Sequence, residues 1–148
     1  MKIFFHVLYT WLLANVILPI TTLLIDMLSL SGDMDFDNLL TELVMFTFFV
    51  LILSLPSLFL SVFFIKPIVS SRYSDFEKLF LWYVTAFSIT VLNILLPLVL
   101  ITGGLHFLFE DFTFFMIPAL VSVFLSITFR YKYFLKLNKI YKHESNLV

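Results

Sequence analysis

The chain of 148 residues has no cysteine. That removes disulfides, thiolate metal sites, cysteine nucleophiles and palmitoylation at once. Charge is scarce: 13% of residues are Asp, Glu, Lys or Arg, while 61% are hydrophobic and 19% aromatic, so a soluble domain of this length could not hide its apolar surface. Glycine is scarce too, at three residues, and with only three alanines the very close helix approaches common among transporters are not expected. Twenty phenylalanines imply bulky packing or a thick lipid-facing surface instead. The catalytic signatures are also missing. There is no H-E-x-x-H pattern, no pair of mid-helix aspartates and no serine with a histidine at matching depth, so neither an enzyme nor a resident cofactor or metal is expected.

Four stretches carry no charge at all: residues 7–25, 43–65, 79–109 and 112–129. Roughly 20 helical residues cross a hydrocarbon core of about 30 Å, so each is long enough to span. The stretches are apolar nearly all round, unlike the alternation of barrel strands, and the first runs past the length of a signal-peptide core. The expectation is an all-α, polytopic membrane protein forming a single four-helix domain over residues 1–148. Its transmembrane helices lie at about 4–29, 39–65, 78–101 and 110–131, packed as a compact bundle, with a short basic tail at 132–148.

The charges orient it. All nine Lys and Arg residues lie at Lys2, at Lys66, Arg72 and Lys78 in the middle connection, or at Arg130, Lys132, Lys136, Lys139 and Lys142 in the tail. Four crossings put those three places on one side. Asp26, Asp33, Asp35, Asp37, Glu42, Glu110 and Asp111 gather on the other, and the positive-inside rule makes the basic side, with both termini, cytoplasmic. Absence of cysteine fits a bacterial inner membrane. Asp33, Asp35 and Asp37 alternate as at the opening of a calcium loop, but Asn38 and Val44 replace its glycine and its closing glutamate, which leaves a solvated acidic loop. Beyond Gly103 and Gly104, the run from Leu105 to Phe109, including His106, suits the membrane interface.

Inside the spans, Pro19, Pro56, Pro97 and Pro118 place one proline in each helix. Each removes a backbone donor and crowds the preceding turn, so a kink is expected in every helix. Thr47, Ser54 and Ser61 recur every seven residues with Ser57 beside them, and Ala119, Ser122 and Ser126 form a second stripe. Such side chains supply interhelical hydrogen bonds of about 0.6 to 2 kcal/mol. Asn15 and Asn93 are the strongest polar groups at depth, and each needs a partner, in the same chain or in a second copy. No ionisable residue sits near the centre of a span, which disfavours proton-coupled transport; His6 lies near the cytoplasmic interface, within reach of water.

The partners expected are the lipid bilayer, further copies of the chain through the hydroxyl stripes, and a cytoplasmic protein or anionic lipid at the basic face. Direct nucleic-acid binding is not expected, because anionic lipid competes for the same charges. In architecture the chain resembles two sorts of small bacterial four-helix protein. One is the membrane sensor of an anti-phage assembly of the Kiwa type, which works with a cytoplasmic partner; the other is an immunity protein against pore-forming bacteriocins. With no catalytic or transport chemistry and all the basic charge on one face, the leading expectation is a non-enzymatic membrane subunit that self-associates and holds or signals to a cytoplasmic partner; the alternative is an immunity protein that meets a toxin's helices laterally. A channel or transporter subunit formed by an oligomer is the third expectation.

Overall fold

The structure is a computed structural model of the full chain; it describes residues 2–29, 36–102 and 110–145. All regular structure among these residues is helical: α1 (Lys2–Ser29), α2 (Phe36–Leu53), α3 (Leu55–Ser70), α4 (Asp75–Thr102) and α5 (Glu110–Ser145). Two stretches, Lys2–Leu24 and Asp75–Leu96, are long and apolar enough to cross a membrane. A third qualifies if the bent pair Leu43–Leu53 and Leu55–Ser70 counts as one span. The acidic segment at 33–35 and the segment 103–109 lie outside the described residues, as do the side chains of Asp26, Asp37, Glu42, Glu110, Asp111 and Lys142.

The single helix expected over 39–65, kinked by Pro56, is in the structure two helices, α2 and α3, meeting at Ser54 with a bend of 49°. Pro56 supplies the reason. It sits in the first turn of α3, where it has no N–H to give to the Ile52 carbonyl, so the hydrogen-bond ladder of α2 is interrupted there. The Ser54 carbonyl then receives Ser57 N at 3.0 Å and Leu58 N at 3.3 Å, which starts the new helix. α3 also runs on to Ser70 through Pro67. α1 and α5 pass through Pro19 and Pro118 as single helices.

α5 packs along α1 more extensively than any other pair. The two are antiparallel, since Thr21 meets Pro118, Tyr9 meets Arg130 and His6 meets Phe134 in turn. α4 is antiparallel to α5, with Tyr83 bonded to Thr128 at 2.8 Å and Asn138 donating to Asp75 at 3.3 Å. α3 and α4 form a hairpin whose turn is closed by a capping box: Ser74 N–H donates to Glu77 Oε2 at 2.8 Å, and Glu77 N–H returns to Ser74 Oγ at 3.3 Å. The main core gathers at the turn end of the bundle, where Ile3 and Val7 of α1, Ile65, Ile68 and Val69 of α3, Trp82 of α4 and Phe134 and Leu137 of α5 are buried together. α2 is the exception. Among the described residues it packs against α1 and joins α3, with no comparable packing against α4 or α5.

Candidate functional site

Two features stand out: the polar break in the α2–α3 pair with the cavity beside it, and the basic end of the bundle.

At the break, α1 reaches across with two side chains. Trp11 Nε1 donates to the Ser54 carbonyl at 3.0 Å, and Ser54 Oγ donates to Asn15 Oδ1 at 2.8 Å. Asn15 itself donates from Nδ2 to the Trp11 carbonyl at 2.8 Å, and Ser57 Oγ adds a bond to Ser54 O at 2.6 Å. The Ser54 carbonyl thus takes the Trp11 indole in addition to the backbone donors that start α3, and the break is tied to the neighbouring helix by polar bonds that lipid could not supply. Trp11 carries no signal of this role in its sequence neighbourhood beyond standing one helical turn before Asn15.

Beside the break lies a cavity of about 340 Å³. Its walls are Phe46, Phe49 and Val50 of α2 and Thr90, Asn93 and Ile94 of α4, with Asn15, Ser54, Ala119 and Ser122 behind them. A smaller cavity of about 50 Å³ adjoins it, since Trp11, Ala14, Ser57, Thr90 and Val123 line both; Thr10, Ser61, Trp82 and Ser126 belong to the smaller one. The polar residues singled out in the sequence therefore meet inside one chain. Asn15, Ser122 and Ser126 are buried, and Ser54, Ser61 and Asn93 line the cavities. Thr47 is different: it is half-buried, and its hydroxyl donates to the Leu43 carbonyl of its own helix at 2.7 Å. Ser122 and Ser126 likewise return to their own helix, at Ala119 O and Ser122 O. Three polar side chains of the lining have no hydrogen-bond partner in the described residues, the Ser61 hydroxyl among them. Asn93 makes no hydrogen bond to another described residue, and the Trp82 indole N–H, in a side chain 2% exposed, has none either.

At the basic end, Lys66, Arg72, Lys132, Lys136 and Lys139 are exposed. Lys132, Lys136 and Lys139 follow the four-and-three spacing of one helical face, while Phe134, Leu137 and Asn138 are buried on the opposite face of the same helix. Lys78 differs from the rest of its group. Only 3% exposed, it donates from Nζ to the Val69 carbonyl at 2.7 Å across the α3–α4 hairpin, so its position serves the turn and not an outside partner. The Arg130 guanidinium lies over the Tyr133 ring at 4.4 Å and the Tyr9 ring at 5.3 Å, a cation–π placement that joins α5 to α1. His6, expected within reach of water, is instead buried against Phe134, with ring centroids 5.9 Å apart and neither nitrogen hydrogen-bonded. Among the described residues, no three His, Asp or Glu side chains converge as metal ligands would.

These elements define an all-helical protein with two to three candidate membrane spans. No protein-family model, curated protein or solved structure matches the chain.

Proposed function

We propose that this protein is a non-enzymatic, multi-pass subunit of the bacterial inner membrane, whose basic cytoplasmic end holds or signals to a soluble partner. In this reading the chain crosses four times: α1, the bent α2–α3 pair, α4 with a bend at Pro97, and the uncharged stretch 112–129 of α5. Pro19 and Pro118 bend α1 and α5 in the same way. Both termini face the cytoplasm. The observation that carries the proposal is the rigid seating of the basic face. Lys132, Lys136 and Lys139 project from a helix whose other side is fixed by Phe134, Leu137 and Asn138, and the start of α1 and the α3–α4 turn meet that same end. A tail serving only to snorkel into headgroups needs no such anchorage.

The hydroxyl stripes do not support self-association, because most of their side chains line the interior of one chain. A second copy would have to meet the exposed phenylalanines of the bent pair, such as Phe48, Phe59 and Phe63. A role as a membrane sensor in anti-phage defence remains within this reading as one assembly of the right kind.

Affinity purification in mild detergent tests it, comparing the parent with K132E/K136E/K139E. A stoichiometric soluble protein on the parent that is lost from the charge-reversed variant is the expected result. A lone species in both cases would overturn the proposal and leave a protein that acts laterally in the bilayer, as an immunity protein does.

A further inference from the structure

The paired cavities between α2 and α4 have a composition that specifies a ligand. Their lining contains no charged residue, so a charged metabolite entering them would lose its hydration with nothing in return. The walls are aromatic and aliphatic, and about 340 Å³ falls within the range of small-molecule sites. Access is from the side. Among the described residues α2 has no substantial packing against α4, and Phe49, 60% exposed, stands at the rim on an outer surface made of Met45, Phe48 and Ile52. A visitor therefore arrives from bilayer hydrocarbon and not from water.

Its polar group follows from the unpartnered side chains of the lining. An indole N–H only donates, and the Trp82 Nε1 is buried without an acceptor beside the smaller cavity. The Asn93 carboxamide, on the wall of the larger cavity, and the Ser61 hydroxyl, on that of the smaller, can donate as well, whereas Asn15 and the hydroxyls of Ser54, Ser57, Thr90 and Ser122 are already bonded within the chain. All three can donate and the indole can do nothing else, so a hydrogen-bond acceptor is the polar group that suits every one of them. We propose that this cavity is a binding site for a neutral, bilayer-soluble carbonyl compound, with its apolar body between Phe46, Phe49 and Ile94 and its carbonyl oxygen accepting from Asn93. The site rests on the membrane reading but not on the basic end, so it stands or falls apart from the cytoplasmic partner.

The test uses intrinsic fluorescence, since the only two tryptophans, Trp11 and Trp82, line the cavities. Protein in lipid nanodiscs is titrated with a bromoalkyl methyl ketone and with the bromoalkane of equal length, bromine being the quencher. The ketone is expected to quench saturably at about a tenfold lower mole fraction, the worth of one hydrogen bond. Asn93→Leu should erase that difference and Asn93→Gln should keep it. Filling the cavity with Ala119→Phe should abolish saturation by both probes, with helicity and elution volume checked to confirm that the variant folds. Quenching that is linear in the parent, or saturable with no preference for the ketone, would overturn the proposal and leave a crevice occupied by lipid chains alone.

Discussion

At the scale of residues, the bundle is joined by a few polar contacts whose worth comes from the lack of alternatives. Asn15 and Ser54 stand 39 positions apart and meet at 2.8 Å beside a backbone carbonyl that also takes the Trp11 indole. The sequence marks both residues as polar groups at depth needing partners. It could not mark them as partners of each other, because that depends on Ser54 being the point where a helix stops. Their coupling is measurable. In detergent unfolding, Asn15→Leu and Ser54→Ala should each destabilise the fold, and the double-mutant cycle should return about 0.6 to 2 kcal/mol of interaction. Strict additivity would mean that the contact contributes nothing of its own. Lys78 makes a second case. Its place in the sequence groups it with the cytoplasmic cations, yet it is buried on the Val69 carbonyl. Lys78→Met should therefore lower stability by about 1 to 3 kcal/mol, the cost of a lost buried bond to a charged group. Lys132→Met, at an exposed site, should stay within about 0.5 kcal/mol of the parent.

At the scale of elements, the instructive difference is between prolines. Pro19 and Pro118 sit within helices that carry on past them, while Pro56 coincides with a true break. All three look alike in the sequence, as single prolines in apolar runs. What separates Pro56 is its surroundings, since Ser54 and Ser57 give local alternatives to the helical ladder, Trp11 donates to the Ser54 carbonyl, and Asn15 accepts from the Ser54 hydroxyl. The relative weight of proline and clamp can be read by spin labels at Phe48→Cys and Phe63→Cys, both exposed sites, in a chain with no cysteine of its own. Pro56→Ala is expected to lengthen the distance between the labels as the 49° bend opens, because alanine restores an N–H donor and removes the ring's clash. An unchanged distance would assign the bend to the clamp from α1. The helical character of all these elements was legible from the apolar runs, and a kink was expected at every proline; that Pro56 is where one helix stops and another starts was not.

At the scale of the whole molecule, two independent features point to the same end. The nine basic residues fall in three parts of the sequence, and the fold brings those three parts together through His6 on Phe134, Asn138 on Asp75 and Lys78 on Val69. Counting crossings puts them on one side of a membrane; packing gathers them at one end of the bundle, which is a separate observation. The tail was only half legible. Its cations stand out in the sequence, but Phe134 and Leu137 read equally well as headgroup anchors, and nothing local shows that they complete the core between α1 and α3. That ambiguity has a consequence in stability. Phe134→Ala removes a side chain only 1% exposed, for which about 3 to 5 kcal/mol is the usual loss, so thermal unfolding in detergent should fall sharply. K132E/K136E/K139E, on the opposite face, should leave that unfolding nearly unchanged while abolishing capture of a cytoplasmic partner. If Phe134→Ala were as mild as the charge reversal, α5 beyond Arg130 would be a passive extension, and the rigid basic face on which the proposed function depends would not exist.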